Sequence, residues 1–407
     1  MEDNTSLPDS LLFLEDLVVD AGLPKSVTTR SNFLSSLILG TQEADSLSGT
    51  EDRDYVFGFE GDDSIEGLGG NDFLFGGSGA DTIRGGEGRD RIYSGAGRDA
   101  LFGDAGDDRF RDTSGGNEID GGEGRDTVNY RNVDGPIDFR FDVLVERSEG
   151  APATAEGRLE VVQSGLDPDV VASIERIIGP ENQSNTIDFS ENSIAGPIFG
   201  PPSVFAPSID ANLSQDRLSF GGAMVTVNNF QNVLGSNGAD NIVGNDENNR
   251  LNGRVGADVL DGKDGDDFLK TYEEDLLIGG GGRDTFELTG FARSNVPTGS
   301  AFNALEASVI ADFESGFDRL QLSQAGESIA VGTRSVDIYE GFADLPIGTL
   351  TAGRFQILGS SDLPRDETSI AYDGTTGDLF YSSRFGDRKI ATLQGAPEIS
   401  AGDISVV

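Results

Sequence analysis

Cysteine and histidine are both absent from this chain of 407 residues. Their absence excludes disulfide scaffolds, thiolate nucleophiles and the usual zinc sites, because those chemistries need thiolate or imidazole groups. Ser-His-Asp triads and HExxH metalloproteases are excluded for the same reason. A G-x-S-x-G elbow and a G-x-x-x-x-G-K phosphate loop are also absent. The carboxylate and carbonyl oxygens that remain suit Ca²⁺ or Mg²⁺ better than transition metals.

Basic residues are scarce: 29 Lys and Arg stand against 72 Asp and Glu, for a formal net charge of −43. A chain this acidic repels nucleic acid and anionic membranes, so we expect no nucleic-acid partner. It can instead collect cations. Long apolar runs are lacking too, and no transmembrane segment is predicted.

The N-terminal residues lack the positive charge that a secretory signal needs, because Glu2 and Asp3 stand in its place. We therefore expect no cleaved N-terminal signal. An amphipathic helix is predicted instead, with Asp9 as its N-cap and Gly22 beyond its end. Residues 1–39 are accordingly assigned to an N-terminal helical cap.

A nine-residue repeat fills residues 40–129, and "GGSGADTIRGGEGRDRIY" at 76–93 shows two of its units. Glycine is most frequent at the first, second and fourth positions of the unit. The eighth position is always apolar, at Leu47, Val56, Ile65, Leu74, Ile83, Ile92, Leu101, Phe110, Ile119 and Val128. The sixth positions are Asp45, Asp54, Asp63, Asp72, Asp81, Asp90, Asp99, Asp108, Asn117 and Asp126. A glycine-rich linker or a disordered acidic tract is the alternative, but neither keeps an apolar residue in register for so long.

A second block of the same repeat occupies residues 235–287. Its sixth positions are Asp240, Asn249, Asp258, Asp267, Asp275 and Asp284, and its eighth positions are Ile242, Leu251, Leu260, Leu269, Leu277 and Phe286. The frame slips by one residue within "TYEED" at 271–275. The slip predicts a shortened turn.

These units resemble the RTX family of hemolysin-type calcium-binding nonapeptide repeats, whose unit is G-G-x-G-x-D-x-U-x. The resemblance implies an all-β fold, a parallel β-roll in which two units complete one coil. It also implies several Ca²⁺ ions as cofactor, each held between the turns of units n and n+2. The implied metal ligands are the sixth-position residues of both blocks together with the turn glycines Gly58, Gly61, Gly67, Gly70, Gly76, Gly79, Gly85, Gly88, Gly103, Gly106, Gly121, Gly124, Gly262 and Gly265.

In such a roll the aspartates of alternate units line up one coil apart, about 4.8 Å, and repel one another unless an ion lies between them. Ca²⁺ accepts carboxylate and backbone carbonyl oxygens in a forgiving geometry. One apolar residue per unit is too little burial to offset the conformational entropy of folding. We therefore expect metal binding to contribute to folding.

The remaining segments are β-rich. Residues 130–234 are interpreted as a less regular part of the same solenoid, with a separate inserted β-domain as the alternative. Residues 288–407 are assigned to a C-terminal β-rich cap with a type I secretion signal. Within it, Asp312 and Asp318 are expected either to bind a further ion or to form a structural turn, and residues 369–383 carry a hairpin pattern.

The resemblance implies a bacterial protein that the type I secretion machinery exports, secreted or on the cell surface, calcium-binding and not an enzyme. An adhesin or surface-layer-like protein that binds a cell-surface polysaccharide or protein is the alternative. A glycan-active enzyme that uses a carboxylate pair is less favoured, with Glu175, Asp188 and Glu191 as its candidate acids. A pore-forming toxin is disfavoured because the long apolar helices that would insert are lacking.

Overall fold

A computed structural model gives the fold of this chain. It describes Phe342, Leu345 and residues 36–111, 115–133, 135–146, 154–163, 166–189, 208–220, 222–272, 274–289, 291–292, 307–324, 328–331, 334–337, 339–340, 347–351, 354–358, 369–383 and 386–407. These residues form β-strands and two short 3₁₀ turns, Leu213–Gln215 and Ala401–Asp403. In this described part of the chain, no helix has the length and apolar character needed to cross a lipid bilayer.

The strands are short and follow the repeat. In the first block they are Ser36–Leu39 (β1), Ser46–Ser48 (β2), Asp54–Glu60 (β3), Ser64–Glu66 (β4), Gly69–Gly70 (β5), Phe73–Ser78 (β6), Thr82–Gly88 (β7), Arg91–Ala96 (β8), Ala100–Ala105 (β9), Arg109–Arg111 (β10), Glu118–Asp120 (β11) and Thr127–Asn129 (β12). Between the blocks they are Ile137–Glu146 (β13), Thr154–Gln163 (β14), Asp169–Ala172 (β15), Arg176–Ile178 (β16), Thr186–Asp188 (β17), Ile209–Asn212 (β18), Arg217–Phe220 (β19), Ala223–Asn228 (β20) and Asn232–Leu234 (β21).

The second block and the C-terminal region continue the series. The second block contains Asn241–Val243 (β22), Arg250–Asn252 (β23), Val259–Asp261 (β24), Phe268–Thr271 (β25), Leu276–Ile278 (β26) and Thr285–Leu288 (β27). The C-terminal region contains Phe291–Ala292 (β28), Ser308–Ile310 (β29), Arg319–Leu322 (β30), Ser328–Val331 (β31), Arg334–Asp337 (β32), Tyr339–Glu340 (β33), Gly348–Thr349 (β34), Phe355–Leu358 (β35), Ser369–Asp373 (β36), Asp378–Ser383 (β37), Gly386–Leu393 (β38) and Ile404–Val406 (β39).

Alternate strands stack into two mainly parallel sheets, as the repeat predicts. The first sheet runs β1, β3, β6, β8, β10, β12, β16 and β20 in parallel order. The second runs β2, β4, β7, β9, β11 and β15. Because side chains alternate along each strand, one residue of each three-residue strand faces the opposite sheet. The predicted all-β parallel fold is confirmed.

The eighth-position residues form two apolar columns between the sheets. Val56 is in register with Leu74, and Leu74 with Ile92, and each is fully buried. On the facing sheet Ile65 is in register with Ile83 in the same way. Leu47 belongs to the first coil, which has no described coil before it, and it is only partly buried. The core is therefore a narrow strip along the solenoid axis.

The strands between the two blocks pair with both of them. In the second sheet the antiparallel pair β14 and β13 is inserted between β15 and β17. In the first sheet the antiparallel strands β19 and β18 follow β20 and lead into β22. After these insertions the strands of both sheets again pair in parallel. The apolar columns consequently pass from the first block to the second through residues 130–234.

The N-terminal expectation needs one correction, whereas the C-terminal hairpin is confirmed. The predicted helix over Asp9 to Gly22 lies outside the described residues. Ser36–Leu39, the end of the proposed helical cap, is strand β1, because Ile38 lies beside Val56 and extends the first apolar column. At the other end β29, β30, β38 and β39 extend the two sheets, and β36 with β37 forms the predicted hairpin.

Candidate metal centres

The sixth-position residues form a hydrogen-bonded ladder along each edge of the solenoid. On one edge the backbone N–H of Asp72 donates to Oδ1 of Asp90 at 2.8 Å, and that of Asp90 donates to Asp108 at 2.8 Å. On the other edge the N–H of Asp63 donates to Oδ1 of Asp81 at 2.9 Å. After the first coil, the turns therefore place these carboxylates against the backbone of the preceding coil. This contact uses only one of the two carboxylate oxygens.

The second oxygen of the interior acids is buried and accepts no hydrogen bond from the described residues. This holds for Oδ2 of Asp63, Asp72, Asp81, Asp90, Asp108, Asp126, Asp258 and Asp267. A buried polar oxygen without a donor is strongly unfavourable, and a buried negative charge more so. Each of these oxygens therefore needs a proton or a cation.

The first-position glycines leave room beside these oxygens. A Cβ on Gly121 would lie 2.6 Å from Oδ2 of Asp126, and a Cβ on Gly67 would lie 2.6 Å from Oδ2 of Asp72. The same space at Gly67 faces the backbone carbonyl of Gly85 in the next coil. The predicted glycines that occupy this place are Gly58, Gly67, Gly76, Gly85, Gly103, Gly121 and Gly262. Carboxylate and carbonyl oxygens thus line a small space beside each of these glycines, and any side chain at the glycine position would occupy it.

The fourth-position glycines have a different role in the turn. They are Gly61, Gly70, Gly79, Gly88, Gly106, Gly124 and Gly265, and all have positive φ. Each lies against the backbone of the preceding coil. They let adjacent turns approach closely, which brings the carboxylate of one coil near the carbonyls of the next.

The donor set fits Ca²⁺. Among the described residues, no three acidic side chains converge on one point. An ion in these turns would draw part of its shell from backbone carbonyls. Ca²⁺ takes six to eight oxygens, including backbone carbonyls, in a flexible geometry, whereas Mg²⁺ demands near-octahedral geometry at shorter distances.

Side-chain hydroxyls close the ladders at the start of each block. Oδ2 of Asp45 accepts hydrogen bonds from the N–H and hydroxyl of Thr41, at 2.6 and 2.8 Å. Oδ2 of Asp240 accepts from the N–H of Ser236 at 2.7 Å, and its Oδ1 accepts from the Ser236 hydroxyl at 2.8 Å. Thr41 and Ser236 occupy second positions, where the units of the uncapped acids have residues without a hydroxyl, such as Phe59, Gly77 and Lys263. Asp240 is a predicted ligand that already accepts hydrogen bonds at both carboxylate oxygens, and Asp45 is one that already accepts two at Oδ2.

The shortened turn at residues 271–275 closes another ladder. The shortened turn reduces the spacing between coils from 18 to 17 residues, since the N–H of Asp258 reaches Asp275 and that of Asp267 reaches Asp284 across 17 residues. Oδ2 of Asp275 accepts from the hydroxyl of Thr271 at 2.5 Å, and its N–H donates to Oγ of Ser308 at 3.3 Å. The serine hydroxyl replaces the next aspartate, so the acidic column ends here.

The other predicted ligands also occupy ladder positions: Asp54, Asp99, Asn117, Asn249 and Asp284. Asp284 donates its N–H to Oδ1 of Asp318 at 3.0 Å, and Oδ2 of Asp318 accepts from the N–H of Glu314 at 2.7 Å. Both oxygens of Asp312 accept backbone N–H groups, those of Gly279 and Gly280. Asp312 and Asp318 thus have the contacts of a structural turn.

Several ladder members lie outside the nine-residue pattern. The N–H of Asn117 donates to Oδ1 of Asp169 at 2.8 Å, across 52 residues. The N–H of Asp126 donates to Glu175 at 2.8 Å, across 49 residues. Inserted strands lengthen both intervals, so a search at fixed spacing misses these two acids. The only signal in the sequence is an acid two residues before a buried aliphatic residue, Val171 or Ile177.

Amides replace acids in the middle of the second-sheet ladder. Oδ1 of Asn185 accepts from the N–H of Ile137 at 3.0 Å, and the N–H of Asn185 donates to Oε1 of Gln231 at 3.1 Å. An amide brings its own donor and carries no charge. These positions therefore satisfy the ladder without the buried charge that the interior aspartates carry.

The candidate acids for a glycosidase do not form a pair in the described structure. Glu175 belongs to the ladder beside the first sheet. Asp188 ends strand β17 of the second sheet and lies 3.4 Å from Arg140. Glu191 lies outside the described residues.

Burial raises the pKa of several interior ladder carboxyls, among them Asp72, Asp90 and Asp108. Loss of solvent is the main cause for Asp72 and Asp108, and each pKa rises to about 7 despite the backbone hydrogen bond that each accepts. Neighbouring carboxylates in the column add to the rise. The pKa of Asp90 rises to about 6, again mainly through burial. Burial and the adjacent carboxylate of Asp275 both raise the pKa of Asp258.

Low pH is expected to stabilise the metal-free fold, because protonation removes the charge of the buried carboxylates as a bound cation would compensate it. Because the folded-state pKa of Asp72 and Asp108 is raised from 3.8 to about 7, the folded state binds more protons than the unfolded state between those values. The stability of the metal-free fold should thus be fully present near pH 4 and be lost as pH rises through about 7. Far-ultraviolet circular dichroism of chelator-treated protein should show more β-structure at about pH 5.5 than at about pH 7.5. Equal spectra at both pH values would contradict this expectation.

A family model for the RTX calcium-binding nonapeptide repeat, which spans four copies of the unit, matches residues 39–74, 66–101, 75–110, 102–132 and 234–269. These matches cover the first ladder block and the beginning of the second. No curated protein matches the chain significantly. In the matched segments, successive turns combine a ladder residue with turn glycines. Over these residues the repeats are RTX nonapeptide repeats of the calcium-binding kind.

Proposed function

We propose that this protein is an extracellular or cell-surface scaffold whose repeats fold when they bind several Ca²⁺ ions, and that it has no catalytic role. One observation carries the proposal: the interior carboxylates are buried with one oxygen lacking any donor among the described residues. Ca²⁺ supplies positive charge to those oxygens and accepts the neighbouring carbonyls as further ligands. The hydrogen bonds of the ladder hold the turns of adjacent coils in register, so that their oxygens can surround the ion.

The thin core supports a folding role for the ion. In the interior coils each short strand contributes one fully buried apolar residue, such as Ile83 or Ile92, to the space between the sheets. The turns contribute buried acids, such as Asp81 and Asp90, which oppose folding when they are charged and unpaired. When the metal binds only the folded state, its binding free energy becomes folding free energy.

An extracellular site of action agrees with the affinity range of such modules. Extracellular calcium modules commonly bind with Kd of about 10⁻⁴–10⁻³ M. Sites of that strength stay empty at cytosolic calcium levels and fill outside the cell. Export of the unfolded chain through type I secretion, which the family resemblance implies, belongs to the same proposal.

The number of bound ions should depend on the interior acids and not on the capped ones. We expect Asp81→Ala and Asp90→Ala each to bind at least one Ca²⁺ fewer than the unaltered protein, because each removes an oxygen that has no other partner. Native mass spectrometry in millimolar calcium counts the ions directly.

Two controls keep that experiment specific. Asp45→Ala removes a carboxylate whose Oδ2 already accepts two hydrogen bonds from Thr41, and Glu87→Ala removes an exposed acid from the same block. Both should leave the ion count unchanged. If all four variants lost calcium equally, bulk negative charge rather than site geometry would govern binding, and the proposed sites would be wrong.

A further inference from the structure

An arginine-lined groove follows one edge of the first block. Its volume is about 560 Å³. The arginines that line it are Arg53, Arg89, Arg91, Arg109, Arg125 and Arg176. In a chain whose formal net charge is −43, this groove concentrates positive charge.

The arginines form two rows that run along the solenoid axis. Arg53, Arg89 and Arg125 occupy fifth positions of the repeat, immediately before ladder acids. Arg91 and Arg109 occupy seventh positions and are direct neighbours in register between β8 and β10. Arg91 and Arg109 lie on adjacent coils, about 4.8 Å apart, whereas Arg53, Arg89 and Arg125 recur on every second coil, about 10 Å apart, with Asn71 and Asp107 between them.

Several of these guanidinium groups remain available to a ligand. Within the described part of the chain, Arg91, Arg109 and Arg125 make no ion pair with an acid. Arg91 lies over the ring of Phe73, 4.8 Å from its centroid, which fixes its position without neutralising its charge. On the other sheet, by contrast, Arg84 is paired with Asp104 at 3.0 Å.

The acids of the groove are mostly turned away from a ligand. Asp90 and Asp126 are 1% and 0% exposed, and their side chains belong to the ladder. Asp107 is paired with Arg89 at 2.8 Å. Calcium in the ladder would neutralise the buried acids and leave the arginines as the dominant charge that a ligand meets.

We propose that this groove binds a linear polysaccharide that carries regularly spaced carboxylate groups. Arginine is the side chain that recognises a carboxylate through two parallel hydrogen bonds. Thr127 and Thr226 also line the groove and offer hydroxyls to sugar hydroxyl groups. The proposal rests on the calcium-dependent fold of the first block, but no Ca²⁺ ion is required as a ligand of the sugar.

The aromatic side chains beside the groove disfavour single-stranded nucleic acid as the occupant. Base binding needs a free ring face on which to stack. The ring of Phe73 is stacked on Tyr55 with centroids 4.8 Å apart, and Arg91 covers its other face. Phe57 and Phe75 are stacked on each other at 4.5 Å. These rings stabilise the outer face of the first sheet and present no platform to a base.

The test compares polymers on calcium-loaded protein whose fold has been checked by circular dichroism. Hyaluronan oligosaccharides are the carboxylated probe, and dextran oligosaccharides of the same length are the neutral one. Poly-L-glutamate and a single-stranded oligothymidylate provide anionic competitors of other classes. Affinity is measured by isothermal titration calorimetry.

We expect hyaluronan to bind and dextran not to bind. The double variant Arg109→Gln and Arg125→Gln should weaken hyaluronan binding by about tenfold or more, because two charge-assisted contacts are lost. The control Arg84→Gln removes an arginine outside the groove and should bind as the unaltered protein does.

Three results would overturn the groove proposal. They are tighter binding of poly-L-glutamate or the oligonucleotide than of hyaluronan, unchanged affinity in the double variant, and no hyaluronan binding by protein that circular dichroism shows to be folded. The last result leaves the calcium-dependent fold intact. A protein that fails to gain β-structure in calcium would instead contradict the proposed function itself.

Discussion

Addition of millimolar calcium to metal-free protein at about pH 7.5 is expected to produce a large gain in β-structure and a large decrease in hydrodynamic radius. At that pH the interior carboxyls, such as Asp72 and Asp108 with pKa raised to about 7, are mostly charged. Their burial then opposes folding. Each filled site adds about 1.4 kcal/mol for every tenfold rise of calcium above its Kd, so several linked sites should make folding steep in calcium.

Circular dichroism and size-exclusion chromatography across a calcium titration measure both changes. Magnesium at the same concentration is the matched control, because it screens charge equally but accommodates these turns less well. A spectrum that calcium leaves unchanged, or that magnesium changes as much, would show that the carboxylate ladders do not couple metal binding to folding.

Replacement of Gly88 by alanine is expected to destabilise the calcium-loaded first block severely. Gly88 has φ of 132° and lies beside Gly70 of the preceding coil in the parallel pair β5 and β7. A Cβ at this position would overlap the carbonyl oxygen of Gly70. The coils would have to separate, which also displaces the oxygens that line the neighbouring metal centres. We expect a loss well above the roughly 1–3 kcal/mol that backbone strain alone produces.

Gly222→Ala separates these two causes. Gly222 also has positive φ, at 90°, but a Cβ there would meet no described atom within 4 Å. This variant should show the strain without the overlap and lose about 1–3 kcal/mol. Urea unfolding in saturating calcium gives both values. Equal midpoints for the two variants would mean that contact between coils contributes little to stability.

Much of the fold could be predicted because the repeat is local and regular. A residue such as Ile83 recurs at a fixed interval, and in a parallel roll this interval alone determines its neighbours, Ile65 and Leu101. The predicted columns of apolar residues and the placement of ladder acids such as Asp81 follow from that rule. The N-terminal helical cap over residues 1–39 was predicted from local pattern alone, and its described end, Ser36–Leu39, is a strand instead.

The remainder of the candidate sites depended on contacts between distant residues. Asp169 and Glu175 join the ladders only because inserted strands fold out and return the chain to the next coil. The capping of Asp240 by Ser236 is visible only once both carboxylate oxygens have been assigned partners.

The sequence by itself determined the repeat, the two-sheeted roll and the residue type at each turn position, since a strict period leaves one regular way to stack the coils. Only the tertiary structure decided which carboxylates lack a donor and which are capped. The difference depends on whether a neighbouring group in the turn donates a hydrogen bond to the second carboxylate oxygen. The tertiary structure also decided that Arg91, Arg109 and Arg125 share one groove, since residues of alternate units meet only after the coils close.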